Sequence, residues 1–213
     1  MSRPRVSMLS VGSGNEASLS YALHRAGVAF DRAETPQAIR DAGAIILPGV
    51  GCFTRVMSRL HDRSMVDALH DRANAGVPIL GVCVGMQVLA DEGDEGAIGT
   101  PTRGLGLIPG RVERIEALPG RRVPHMGWNR VIACAECPLL DGLDAEPAMY
   151  FVHSYHFRAH DPRHVLAEVN DGSPIAAIVG RDNILGVQCH PEKSQHDGER
   201  LLANFAAWAH ATA

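Results

Sequence analysis

Apolar residues in the first half of the chain fall alternately into short unbroken runs and helically spaced stripes. Val6 to Val11, Val28 to Ala33, Ala44 to Leu47 and Pro78 to Cys83 read as strands. Ala44-Ile45-Ile46-Leu47 is apolar throughout, the pattern of a parallel strand covered on both faces. Between these runs, Leu19, Leu23 and Ala26, and then Met57, Leu60, Val66 and Leu69, recur at helical spacing. Thr35-Pro36 is a helix start, with threonine as cap and proline at the first helical position. Val84 to Ala90 suits a further helix, which completes a βαβαβαβα order. Such alternation predicts a parallel sheet with helices on both faces and with function at the carboxyl ends of its strands. Gly14, Val50 and Cys83 each follow such an end and are expected on one rim.

The pattern changes after Asp91. A glycine-rich, acidic stretch to Pro109 reads as loop, and short strands follow: Gly110 to Ile115, Trp128 to Ile132, Met149 to Val152, Val165 to Val169, Ile175 to Val179 and Ile184 to Cys189. These are expected to be antiparallel extensions of the central sheet. Glu199 to His210, with Leu201, Leu202, Phe205 and Trp208 on one stripe, closes the chain as an amphipathic helix. The predicted class is α/β: three layers, a mostly parallel central sheet with helices on both faces, and antiparallel strand extensions.

Composition narrows this further. A chain of 213 residues is long enough for one domain, 1–213, with a full core. Apolar residues make up 46%, charged residues 21%, and the formal net charge is -4, so no basic footprint for nucleic acid is present. No apolar run approaches the ~20 residues of a membrane span. Met1-Ser2-Arg3-Pro4-Arg5 leads into a strand-like run instead of a signal-peptide core. Five irregularly spaced cysteines, Cys52, Cys83, Cys134, Cys137 and Cys189, fit reduced thiols and a cytoplasmic setting.

Candidate chemistry centres on Gly81-Val82-Cys83-Val84-Gly85, where an apolar strand ends at a cysteine flanked by glycines two residues away on each side. Such spacing suits a nucleophile on a sharp strand-to-helix turn, where side chains at the glycine positions would collide. It equally suits a core cysteine packed as a small hydrophobe. Pro48-Gly49-Val50-Gly51 is either a plain tight turn or a source of backbone N–H donors for an oxyanion. His190-Pro191-Glu192 offers a base: in an extended segment residues i and i+2 share a side, so Glu192 can orient the His190 ring. Two competing readings exist. Gly12-x-Gly14-x-x-Ala17, with Asp31 beyond, matches a dinucleotide fingerprint that a bare βα turn also satisfies. Cys134-x-x-Cys137, with His153, His156, His160 and His164, invites a metal, but a structural zinc site needs two regular ligand pairs and the second is missing.

Taken together, Gly81-Val-Cys83-Val-Gly85-Met-Gln87, Pro48-Gly-Val-Gly51 and Gly186-Val-Gln-Cys-His190-Pro-Glu192-Lys193-Ser194 resemble the three signatures of the class I, triad glutamine amidotransferases. Pro124-His-Met-Gly-Trp-Asn129 and Tyr150-Phe-Val-His-Ser-Tyr155 are similar to segments of one branch, the glutaminase subunits of imidazole glycerol phosphate synthase in histidine biosynthesis. The likeness runs from about residue 6 to the final helix.

This resemblance implies hydrolysis of L-glutamine, with Cys83 as nucleophile, His190 as base and then acid, and Glu192 orienting His190. It implies backbone donors at Val84 and in Gly49-Val50-Gly51, with Gln87, Ser154 and Tyr155 seating the glutamine. No cofactor or metal is implied. With the chain filled by a glutaminase domain, the ammonia acceptor is expected to be a second polypeptide, in this family a (β/α)₈-barrel cyclase. That cyclase makes imidazole glycerol phosphate and aminoimidazole carboxamide ribonucleotide. Trp128, Asn129, Tyr155 and Lys193 match positions facing it. A glutaminase serving a different synthase and a silent nucleotide-binding scaffold are the alternatives. Two departures stand out: Ser10-Val11-Gly12 replaces the usual Asp-Tyr-Gly, and Cys189 replaces a phenylalanine. Strand alternation would point Cys189 away from Cys83.

Overall fold

The computed structural model describes residues 5–10, 12, 15–117 and 122–212. The strands are β1 (Val6–Leu9), β2 (Phe30–Ala33), β3 (Ala44–Gly49), β4 (Ile79–Cys83), β5 (Glu92–Gly93), β6 (Thr102–Arg103) and β7 (Gly110–Arg114), followed by β8 (His125–Arg130), β9 (Ile132–Ala133), β10 (Ala148–His153), β11 (Tyr155–Ala159), β12 (Val165–Asn170), β13 (Pro174–Arg181) and β14 (Ile184–Val187). The helices are α1 (Glu16–Arg25), α2 (Pro36–Arg40), α3 (Phe53–Asp62), α4 (Met65–Asn74), α5 (Val84–Gln87) and α6 (Gln195–Ala211).

Eight strands form the central sheet in the order β2-β1-β3-β4-β14-β13-β12-β9. The first five run parallel and the last three are antiparallel to their neighbours. β1, β3, β4 and β14 are buried along their whole length, as sequences that are apolar apart from Ser7 of β1 require between two helical layers. α1 packs beside α6, while α2 and α3 pack against α4. One hydrophobic core runs from Val6 to Ala209. Thr35 caps α2 by accepting from the Ala38 N–H at 3.2 Å, with Pro36 at the first helical position.

Several sequence expectations change. Helical spacing from Met57 to Leu69 belongs to two helices, with Ser64 in the left-handed conformation between them. Pro48 and Gly49 lie inside β3, so the turn after it is confined to Val50 and Gly51. The helix after Cys83 ends at Gln87, short of Ala90. Glu92–Gly93 and Thr102–Arg103 are strands inside the stretch expected to be loop.

The later strands do not all extend the central sheet. β7 and β11 join β5 and β6 in a separate four-stranded sheet, and β8 forms a two-stranded sheet with β10. β14 ends at Val187 and is parallel to β4, because the hairpin through Asp182 and Asn183 reverses the chain between β13 and β4. Asp182 takes the positive φ that this tight turn needs, φ 53°. β11, from Tyr155, was not foreseen as a strand. Gly14 of the dinucleotide fingerprint lies outside the described residues.

Candidate active site

β4 carries its last residue, Cys83, into a backbone conformation of φ 55° and ψ -112°. A non-glycine side chain there costs on the order of 1–3 kcal/mol and persists only where packing enforces it. The enforcement is visible at the flanking glycines. A Cβ on Gly85 would lie 1.9 Å from the Leu47 carbonyl oxygen, and one on Gly81 would lie 2.4 Å from the Gly85 carbonyl oxygen. β3 and β4 can therefore pack on the start of α5 only with hydrogen at both places. Cys83 is paired in register with Gly49 and is 4% exposed.

His190 reaches this elbow from the other side of β4. β14 brings the chain alongside, and His190 Nδ1 donates to Glu192 Oε1 at 2.7 Å, leaving Nε2 for the sulfur. The expected extended segment is absent: Pro191–Lys193 form one 3₁₀ turn, and this turn swings Glu192 back under the imidazole. Asn15 Nδ2 also donates to Glu192 Oε1, from the residue before α1. Burial works against charging His190, but hydrogen bonds to the Cys83 sulfur and to Glu192 outweigh it, holding the imidazole up at about 10. The ring therefore carries its proton at neutral pH. Cys83, His190 and Glu192 form one continuous contact chain.

A cavity of about 230 Å³ opens beside the elbow, lined by Gly51, Val84, Gln87, Ser154, Tyr155 and Glu95 among others. Five of the seven residues expected to seat a substrate thus share one wall-to-wall space, whose size suits a ligand smaller than a drug molecule. Gly49 and Val50 border a smaller void with His190 and Glu192. Gln87 is buried, and its Nε2 donates to the Tyr155 carbonyl at 2.9 Å and to Gln188 Oε1 at 3.0 Å. Its own Oε1 is buried without a hydrogen-bond partner in the described residues, an acceptor awaiting a donor.

Two residues of this neighbourhood were missed from sequence. Glu95 was hidden in an acidic stretch read as loop. Burial pushes its carboxyl up, partly offset by the Phe53 backbone N–H donating to it at 3.0 Å. Gln188 is 0% exposed and lies 3.8 Å from the Cys83 sulfur through Nε2. Its place between Val187 and His190 was the available signal.

The partner-facing candidates divide. Trp128 stands directly across β8–β10 from Tyr150, with ring centroids 6.0 Å apart, and Lys193 Nζ lies 5.4 Å from the same Tyr150 ring. Asn129 points the other way, donating to the Asn170 carbonyl at 3.1 Å. Tyr155 is half-buried at the cavity.

The remaining candidates have other occupations. Glu16 accepts from the Gly12 N–H and the Ser10 hydroxyl, both at 2.7 Å, so a carboxylate already fills the first βα turn. Asp31 lies within β2, ion-paired with Arg5. Cys134 is exposed and Cys137 buried, with burial pushing the Cys137 thiol up to about 11. Cys189 lies beyond the end of β14, so strand alternation does not orient it. It packs in the core, and its thiol is pushed up by burial and then by Glu192 and Cys83 nearby.

His153 faces His125 across the β8–β10 pair, Nε2 to Nδ1 at 3.0 Å, and its Nδ1 meets the Tyr155 carbonyl at 2.9 Å. Burial drives this imidazole down to about 3, against the pull of that carbonyl. The folded form thus takes up its proton only below the unfolded value of 6.5. The His153 contribution to stability is complete above that value and falls as pH drops toward 3, by a few kcal/mol at the order-of-magnitude level. Urea titrations through this acid range should show a steeper fall for wild type than for His153→Gln; equal slopes would exclude His153 as the cause.

A strained cysteine at a strand end, an imidazole beside its sulfur and a carboxylate behind the ring lie together on an α/β sheet, the arrangement that a cysteine-dependent acyl-transfer centre requires. The model of the family "Glutamine amidotransferase class-I" matches residues 8–208, and the chain belongs to that family. Within it, the chain is 46% identical to the imidazole glycerol phosphate synthase subunit HisH of Rhodospirillum rubrum, covering 96% of this chain and 99% of that one. It is 43% identical to the HisH of Desulfitobacterium hafniense strain Y51, over 95% and 94% of the two chains. A solved glutamine amidotransferase has the same fold, with a TM-score of 0.74 at 23% identity, covering 96% of this chain and 98% of that one.

Proposed function

We propose that the chain is the glutaminase subunit of an imidazole glycerol phosphate synthase. It acts as one glutamine amidotransferase domain that hydrolyses L-glutamine and delivers ammonia to a (β/α)₈-barrel cyclase in the cytoplasm. The contact chain Cys83, His190 and Glu192 beside the cavity carries the catalytic half of this reading. The relatives named HisH support the choice of synthase, and the five free cysteines fit a reducing compartment.

The Cys83 sulfur attacks the glutamine side-chain carbonyl, and the C–S bond forms as the carbonyl electrons move onto oxygen. N–H groups of Val84 and the Gly49-Val50-Gly51 segment receive that oxyanion; a single such donor is typically worth ~3 kcal/mol. Collapse breaks the C–N bond, and His190, already protonated, gives its proton to the leaving nitrogen so that ammonia departs. The neutral ring then takes a proton from water, whose oxygen attacks the thioester. The C–S bond breaks, glutamate leaves and the sulfur is restored. Glu95 offers its carboxylate to the α-ammonium of glutamine, and Gln87 Oε1 offers an acceptor.

The docking face is the exposed strip of β8 and β9. Met126, Trp128 and Ile132 are 61%, 50% and 45% exposed, with the exposed Arg130 between the last two, a mostly apolar row unusual on a free surface. Its partner strand β10 is tied to the catalytic turn: the Tyr150 carbonyl accepts from the His190 N–H at 2.8 Å, and the Tyr150 N–H donates to Ser194 Oγ at 3.0 Å. Force applied at Trp128 therefore reaches the backbone of His190. Trp128→Ala should weaken binding of the cyclase about thirtyfold, as loss of a central aromatic does, without changing the thermal midpoint of the free subunit. Calorimetric titration with the cyclase checks this. Unaltered affinity would move the interface elsewhere, and co-purification with another synthase would replace the cyclase as partner.

A further inference from the structure

The amide of Gln188 can be oriented from its neighbours. A backbone carbonyl only accepts, so the group of Gln87 that meets the Tyr155 carbonyl is its NH₂. That same nitrogen meets one end of the Gln188 amide, which must then be the oxygen. The Gln188 NH₂ is left facing the Cys83 sulfur at 3.8 Å.

The chain continues outward with a defined direction. The Tyr155 carbonyl also meets His153 Nδ1, so Nδ1 carries the hydrogen and Nε2 of the neutral ring accepts. His125 Nδ1 must then donate to it, which turns His125 Nε2 toward Asn129 Nδ2 at 3.4 Å. Asn129 is one residue from Trp128 on β8. A largely buried series of polar groups thus leads from the exposed strip to the nucleophile, and its directions all follow from the Tyr155 carbonyl, which cannot donate.

Resting on the reading of Cys83 as nucleophile, we infer that Gln188 is a further residue of the catalytic centre. Its side-chain N–H holds the sulfur in its ionised form, and Gln87, the Tyr155 carbonyl and His153 are the positioning groups that aim it. A donor strengthens its hydrogen bond when the acceptor is charged, so it favours thiolate over thiol at attack. It favours the sulfur again as leaving group when the thioester breaks. The other titratable groups facing this sulfur are His190 and Cys189, with Glu192 behind the His190 ring.

The test is alkylation of the full-length chain by iodoacetamide from acid to alkaline pH, with the modified cysteine located by mass spectrometry. Two variants are compared with wild type: Gln188→Leu, which removes the amide, and Gln188→Glu, which keeps the shape but loses the donor when ionised. In Gln188→Leu the pH midpoint for Cys83 alkylation should rise by about one unit, a tenfold loss of rate below the midpoint, and Gln188→Glu should rise at least as far. Midpoints equal to wild type overturn the inference, whatever happens to thermal stability. Should the leucine variant fail to fold, the glutamate variant decides alone by the same criterion. If the underlying reading is at fault, the result differs: Cys83 of wild type would be no more reactive than exposed Cys134, and glutamine would not protect it.

Discussion

Cys83→Ala should lower ammonia release from glutamine by about 10⁴-fold or more, the usual consequence of deleting the nucleophile of a triad. The measurement pairs the variant with the cyclase and its nucleotide ligand, so that loss of chemistry is not confused with loss of partner activation. Cyclase turnover supplied with free ammonium salt should be unchanged, since the variant deletes only a sulfur inside the glutaminase. No other thiol can stand in. Cys189 is the nearest rival, but it is fully buried and its thiol is pushed up by burial and by the charges of Glu192 and Cys83. Such a sulfur stays protonated and inert. Cys137 is similarly held up, to about 11, and Cys52 spends its S–H on the Glu95 carbonyl at 3.2 Å. Undiminished hydrolysis in Cys83→Ala would therefore remove the whole site assignment, along with the nucleophile.

Gly85→Ala should be the most destabilising single methyl that can be added near the site. Its Cβ would sit 1.9 Å from the Leu47 carbonyl oxygen and 2.9 Å from the Leu47 carbonyl carbon, both backbone atoms of a buried strand. No side-chain rotation relieves such a contact, so either β3 or the start of α5 must move. A cost on the order of 4 kcal/mol is expected, at the upper end for single substitutions. For a chain of this size the thermal midpoint should then fall by ~10 °C or more. Activity should fall as well, because the same shift relaxes the φ 55° conformation that presents Cys83. Scanning calorimetry decides: a midpoint within ~2 °C of wild type would show that the strands can part at little cost. In that case the elbow is not enforced by packing, and the strain at Cys83 needs another source.

Much of this was readable from residue order. The parallel half of the sheet follows from unbroken apolar runs alternating with helical stripes, because a strand covered on both faces has no polar side to display. The elbow follows from glycine on either side of Cys83, because those are the places where β3 and α5 leave no room for a Cβ. His190 and Glu192 were legible as a pair, although the reason was different: the 3₁₀ turn after Pro191, not an extended strand, brings the carboxylate under the ring.

Local pattern could not decide how distant segments meet. Strands from Gly110 onward alternate half-buried residues in the same way whether they join the central sheet or build a second one, since period two reports a covered face and not the identity of the neighbour. Only the fold separates β7 and β11 from β12 and β13. The same holds for Glu95, which stands in an acidic loop by sequence but is carried to the cavity by β5 and the start of α3. It holds most of all for Gln188 and the two histidines. Gln188 is oriented by Gln87, 101 positions away, and Gln87 by the Tyr155 carbonyl, 68 positions from it, while the two histidines meet across β8–β10, 28 positions apart. Sequence by itself determined the helix-covered parallel sheet, the strained cysteine and the residues able to serve it, because periodicity and glycine sterics are local. Tertiary structure alone decided which of those residues touch the sulfur, and from which direction each hydrogen comes, because hydrogen bonding between side chains depends on where separate strands end in space.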